Sequence, residues 1–275
     1  MALTKIQAQK WAGIVEAVAQ EASILSTIAN GQYQADAAGA NLIRVSSIST
    51  PSVGNYTSGQ LTYGDLTDDA IDIAIDQKKV FTFKVEDIDK AQSSVNVKDQ
   101  AIKQAGMALA LEADKYIFAQ YAKAGYQIND GATPTPGALD VNSKNVEQVI
   151  LDVQMYFDEH NVGSMDRFLV VAPWFKQKMV LAGLTRQTGV GDEVYLNGYI
   201  GQVFGFKVYV SNQLTAGHML AMSNRAVPFV SQINTVESLR LQNAFADAVR
   251  GLYTFGADVL FEEEFVDIWV AADSE

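Results

Sequence analysis

NVKDQAIKQAGMALALEADKYIFAQYAKAG, residues 96–125, is the stretch on which the fold turns. Asn96 carries the side chain of an N-cap, and Asp99 puts a carboxylate in the positively polarised first turn. Good helix formers then run to Lys123 before Gly125 closes the helix. Ile102, Ala105, Leu109, Ala113 and Tyr116 lie on one stripe, at the spacing of three and four that keeps a single face apolar. At 1.5 Å per residue, positions 96–123 make a rod of about 42 Å, well above the usual globular helix. A rod of that length serves as a spine.

Upstream of the spine, Thr4 to Asn30 reads as a helix, with Ile6, Trp11, Val15, Val18, Ala22 and Leu25 on one side and Gly31 as its stop. It packs either on its own domain or, as an arm hinged at Gly31 to Asn41, on a neighbouring subunit. Leu42, Val45 and Ile48 rise into a polar stretch from Ser49 to Asp69. Ile71, Ile73 and Ile75, then Val80, Phe81, Phe83 and Val85, return with the period of two of half-buried strands. Pro51, Gly54, Gly59 and Gly64 punctuate the polar stretch, which has few apolar residues with which to build a core. A long two-stranded loop that packs on another chain fits these features.

Downstream, Gly131, Pro134, Pro136 and Gly137 mark a connector between subdomains. Asn142 caps a helix with Val146, Val149, Ile150, Val153 and Phe157 on one face, ending near Gly163. Phe168 to Val171 is an unbroken apolar run, as in a strand covered on both faces. Pro173 suits the first turn of a helix at Trp174 to Leu181, closed by Gly183. Leu184 to Tyr199, with Gly189, Gly191 and Gly198, has no periodicity. Short strands follow at Ile200 to Phe204, Phe206 to Val210, Met219 to Met222 and Val227 to Gln232. Leu239 to Phe245, Val249 to Phe255 and Phe265 to Val270 alternate and read as strands returning beside the spine. The alternation of helix and strand after the connector predicts a small α/β or α+β subdomain.

The 275 residues (29.9 kDa, mean hydropathy +0.03) are those of a globular protein able to bury roughly three quarters of its unfolded surface. With 32 Asp and Glu against 20 Lys and Arg, the net charge is −12, which repels phosphate and anionic membranes. There is no cysteine, so disulfides, thiolate metal sites and a cysteine nucleophile are excluded. No apolar run has the length of a transmembrane helix, and polar residues interrupt every run near Lys5 and Lys10, so neither a membrane span nor a signal-peptide core is expected.

No catalytic, cofactor-binding or metal-binding residues are assigned. His160 sits at a helix C-terminus, where the dipole alone favours it, and His218 follows Gly217 in a turn, where solvent is expected around it. Asp65, Asp68, Asp69, Asp72 and Asp76 crowd together, as do Glu262, Glu263 and Glu264. Four residues along a strand, Asp72 and Asp76 stand about 13 Å apart, too far for one metal or a retaining glycosidase pair. Solvated strand faces and loop tips account for these acids, with a surface calcium site among Asp65, Asp68 and Asp69 as the remaining alternative. Trp11, Trp174 and Trp269 are scattered and form no ligand platform.

Three further segments carry a resemblance: Asp87-Ile88-Asp89-Lys90-Ala91-Gln92-Ser93-Ser94 before the spine, Gly201 to Asn212 (GQVFGFKVYVSN) and Phe245 to Gly256 (FADAVRGLYTFG). With the order of elements around them, they resemble the Hong Kong 97-type (HK97-fold) major capsid protein of tailed bacteriophages. The resemblance implies an HK97-like fold with residues 1–40 as N-terminal arm and 41–85 as an extended E-loop. Residues 86–135 with 231–275 would form the peripheral domain that holds the spine, and 136–230 the axial domain. It implies a non-enzymatic subunit, without cofactors, that forms the hexamers and pentamers of an icosahedral shell enclosing phage double-stranded DNA. The arm begins at Thr4, so no internal scaffold is expected; a separate scaffolding protein, a portal and a decoration protein would be the other partners. The virion capsid, assembled in the host cytoplasm, would be its location. The alternatives are an encapsulin-like cargo compartment and a carboxylate-dependent α+β hydrolase.

Overall fold

The computed structural model describes residues 14–15, 17–18, 23–37, 41–48, 68–86, 97–132, 137–184, 199–242 and 245–272. Among these the elements run α1 (Leu25–Ile28), a 3-10 segment (Gln32–Ala37), β1 (Leu42–Ile48), β2 (Asp68–Ala74), β3 (Gln77–Glu86) and the spine α2 (Val97–Phe118), extended by a 3-10 segment (Ala119–Lys123). There follow β4 (Tyr126–Ile128), β5 (Leu139–Val141), α3 (Val146–Glu159), β6 (Arg167–Val171), α4 (Pro173–Leu181), β7 (Tyr199–Val203), β8 (Phe206–Val210) and β9 (His218–Ser223). The hairpin β10 (Phe229–Arg240) and β11 (Ala246–Ala257), a 3-10 turn (Glu262–Glu264) and β12 (Phe265–Ala272) complete it.

A seven-stranded mixed sheet in the order β4-β12-β9-β6-β8-β7, with β5 also paired to β12, forms the centre. Its strand period of two sends alternate side chains to two cores. Leu169, Val171, Met219, Ala221, Val266 and Ile268 meet the apolar faces of α3 and α4. Phe168, Val170, Leu220, Met222 and Phe265 meet the spine through Ile102, Leu109, Ala113, Ile117 and Phe118. Every residue of β6 is buried, which is why its sequence reads as a continuous apolar run. The buried stripe of α3 is Val146, Val149, Ile150, Val153 and Phe157, the five read from the sequence. Asn142, expected to cap that helix, instead accepts hydrogen bonds from the amides of Lys144 and Asn145 in the turn before it.

The second sheet, in the order β10-β11-β3, is antiparallel and lies along the spine. Phe81, Phe83, Tyr253 and Phe255 turn toward the helix, with Tyr116 edge-on to Phe255 at 5.6 Å. The expected strand from Leu239 to Phe245 is not formed as one element: β10 ends at Arg240, and Leu241, Gln242 and Phe245 belong to neither β10 nor β11. Local alternation continues through a turn without marking it. β12 also departs from expectation. It meets the spine, as expected, but as a strand of the central sheet between β4 and β9 and not of the hairpin sheet, and β3 belongs to the spine's sheet rather than to the two-stranded loop. Sheet membership therefore cuts across divisions at 85 and 230.

β1 and β2 form a separate antiparallel pair, whose Ile43 and Ile73 join Ile75, Val230 and Leu260 in a third small core. The chain passes from β2 to β3 directly over Gly256, where a Cβ would stand 2.2 Å from the carbonyl oxygen of Ala74. The N-terminal segment packs on its own chain: Val15, Leu25 and Ile28 are fully buried in the spine's core. Gly106 makes that approach possible, since a Cβ there would lie 3.0 Å from the Val15 carbonyl oxygen. The anticipated hinge at Gly31 to Asn41 contains the 3-10 segment, and Gln34 is tied by its side-chain amide to both backbone groups of Ser231. Residues 4–13, 16 and 19–22 of the expected helix, the polar stretch 49–67, residues 87–96 with the expected cap Asn96, and the glycine-bearing 185–198 lie outside the described residues.

Candidate assembly surface and buried polar clusters

Among the described residues, the three-stranded sheet is covered on one face only, by the spine. Its register aligns Val80 with Leu252, Thr82 with Arg250 and Lys84 with Ala248 across β3 and β11, and Glu237 with Arg250 and Leu239 with Ala248 across β10 and β11. Because neighbouring Phe81 and Phe83 turn inward, Lys78, Val80, Thr82 and Lys84 stand on the opposite, open face. Val80 is 63% exposed there, and Phe245 at the hairpin end is 85% exposed. Arg250 reaches Glu237 across the strands at 2.6 Å, which aligns the hairpin but leaves the apolar row uncovered. On the spine, Met107 and Leu111, one turn apart, are also exposed.

His218 was expected in solvent, and the structure corrects this. It opens β9 with its side chain 13% exposed, stacked on Tyr121 at 3.8 Å between ring centroids and on Trp269 at 5.8 Å. Its Nδ1 lies 3.0 Å from a carboxylate oxygen of Asp267, whose other contact is a hydrogen bond donated by the Gln127 amide at 2.6 Å. Burial raises the Asp267 carboxyl above its ordinary range, and the hydrogen bonds from Gln127 and His218 offset part of that rise. Strand periodicity sets the group: His218, Leu220 and Met222 alternate along β9 opposite Trp269, Asp267 and Phe265 of β12. Trp269 is thus part of an aromatic stack joining the end of the spine to the central sheet. Extending the period of two back from Met222 and Leu220 would have marked His218 as a strand residue on the spine side.

His160 caps α3, its ring nitrogen 2.9 Å from the Tyr156 carbonyl oxygen. Asp72 does not face Asp76 across a site; it forms a two-point pair with Arg44, at 2.7 and 2.8 Å, that keeps its carboxyl below the usual range, chiefly through those hydrogen bonds. Asp76 accepts a hydrogen bond from Gln77. Of the three glutamates, Glu262 and Glu263 are exposed, whereas Glu264 is buried and holds Ser223 and Arg225, so a solvated loop tip fails to describe it. Trp174 helps line a cavity of about 270 Å³ with Pro173, Ser211, Leu214 and His218. Trp11, Asp65, Gly189 and Gly191 lie outside the described residues, and of Asp68 and Asp69 only the backbone, in β2, is described. Among the described residues no three His, Asp or Glu side chains converge as a metal site would require, and no helix is long and apolar enough to cross a membrane.

A central sheet sealed on both faces, a long spine and a hairpin sheet with one bare face define the class: the HK97-type α+β capsid fold. Comparison with known proteins agrees. The model of the phage capsid protein family matches residues 68–268, and the chain belongs to that family. It is similar to a solved structure from Mycobacterium phage Che8, with 26% identity, a TM-score of 0.71 and coverage of 89% of this chain and 90% of that one. The capsid structure of the cyanophage P-SCSP1u shares the fold at 19% identity and a TM-score of 0.65, over 85% and 84% of the two chains. A virus-like particle from Pyrococcus furiosus shares it at 12% identity and a TM-score of 0.58, over 95% and 99%. No curated protein sequence matches the chain.

Proposed function

We propose that this chain is a major capsid protein that self-assembles into the hexamers and pentamers of an icosahedral shell enclosing phage double-stranded DNA. The observation that carries the reading furthest is the bare face of the hairpin sheet, with Val80 and Leu239 exposed on it and Phe245 exposed at the hairpin end, in a chain of the phage capsid family. A contact between unlike surfaces of identical subunits closes into rings, and an uncovered apolar sheet face is a surface that such a contact buries. Residues 1–40 then serve as the arm, and β1 with β2 as the base of the E-loop. The spine with β3, β10 and β11 forms the peripheral domain, and the central sheet with α3 and α4 the axial domain. Packaged DNA is enclosed without specific binding, in keeping with the net charge of −12. A separate scaffolding protein and a portal are the expected partners in the host cytoplasm, with a decoration protein on the finished virion.

An encapsulin-like compartment would use the same fold, and the match to phage capsid proteins favours the phage shell over it. Of the acids that the hydrolase alternative would use, Asp72 is held by Arg44 and Glu264 by Arg225. Gel filtration of the purified protein followed by electron microscopy of the void fraction tests the reading. Closed particles with clusters of six and five subunits are expected; a single small oligomer at every concentration and salt would overturn it.

A further inference from the structure

Asp114 lies on the buried side of the spine, 1% exposed, in the core that Val15, Leu25 and Ile28 share with Ile102, Leu109 and Ala113. Its two oxygens face the N-terminal segment. Oδ1 accepts the Ser23 hydroxyl at 2.5 Å and Oδ2 accepts the Ile24 amide at 3.3 Å, at the start of α1. Among the described residues, the groups that face it, Ser23, Ile24 and Leu25, are all uncharged. On its own helix Glu112 is exposed and paired with Lys79, and Lys115 is exposed. A carboxylate in such a place loses its water without gaining a cation. Neutral, the same carboxyl keeps both contacts, because the Ser23 hydroxyl accepts a hydrogen bond as readily as it donates one.

We propose that Asp114 is a proton-operated latch between the N-terminal segment and the spine: neutral, it holds residues 23–28 down, and ionised, it loosens them. This does not depend on the shell reading, since every group involved belongs to one chain. Burial pushes the docked carboxyl up to about 6, against 3.8 for the free side chain, and the hydrogen bonds from Ser23, Ile24 and Leu25 offset part of the rise. Between those values the docked form holds a proton that the released form has lost. Docking is therefore fullest below about pH 4 and weakens as the pH climbs through 6, by up to about a hundredfold in its equilibrium constant.

Hydrogen exchange of the amides of Leu25 to Ile28 in the full chain, corrected for intrinsic rates, reads the latch directly. Between pH 5 and pH 8 their protection should fall by about tenfold. Asp114→Asn, which keeps the shape and an acceptor oxygen without the charge, should abolish the fall. Ser23→Ala removes a hydrogen bond that favours the ionised form and should move the midpoint to higher pH, which a merely structural contact would not do. Protection that stays constant over this range in the native chain, or falls equally in Asp114→Asn, would overturn the proposal.

Discussion

The two large sheets differ in how many of their faces the described residues cover: both in the central sheet, one in the hairpin sheet. In the central sheet β6, β9 and β12 bury both faces, one under α3 and α4 and the other under the spine. In the hairpin sheet β3 alternates between half-buried and exposed along most of its length, and only the inner half of that pattern finds a partner. Both sheets are made of β-branched and aromatic residues, so strand propensity does not distinguish them. What differs is the number of covered faces. The same substitution should therefore act on folding in one region and on association in the other.

The largest effect is expected in the first region. Phe206→Ala empties a fully buried site between β8 and Phe157 of α3, and should cost about 3–5 kcal/mol in denaturant unfolding of the subunit. If unfolding is unchanged, the central sheet is not the folding core. Next, Gly256→Ala places a methyl group against the Ala74 carbonyl, where backbone rather than a mobile side chain must yield. It should destabilise by about 1–3 kcal/mol and disturb exchange in β2 and the start of β3 more than in β6. An effect of similar size comes from His218→Ala, which removes the stack on Tyr121 and Trp269 and one of the hydrogen bonds to the buried Asp267, leaving those from Gln127 and the Ile268 amide. About 1–3 kcal/mol is expected, and near-neutrality would show that the stack does not join spine and sheet. The smallest effect on folding falls in the second region. Phe245→Ser should change subunit stability by less than about 0.5 kcal/mol while lowering the yield of particles.

The distinction also explains what could be read from the sequence. The spine, the stripe of α3 and the apolar run of β6 are legible because each signal is local: a period of 3.6 or an unbroken run. The location of β12 was not, since Phe265 to Val270 carries an ordinary strand pattern and nothing in it names β4 and β9 as neighbours. His218 was misread because its neighbours in the chain, Ala216 and Gly217, describe a turn, while Tyr121, Asp267 and Trp269 arrive from far along the sequence. Glu264 was hidden in a run of three acids, only one of which meets Ser223 and Arg225. The N-terminal segment was left open between its own domain and a neighbour's. Its apolar stripe needs a partner in either case, and the decisive signals, Gly106 and Asp114, sit on the spine rather than in the segment.

Hydroxyl-radical footprinting of the same protein as free subunit and as particle tests the central claim most directly, because it reads side-chain exposure residue by residue. Labelling of Val80, Leu239 and Phe245 should drop severalfold on assembly, while Met179 and Met222, buried in the subunit's own cores, stay unlabelled in both. Equal labelling of Val80, Leu239 and Phe245 in subunit and particle would mean that the bare face of the hairpin sheet is not an assembly surface.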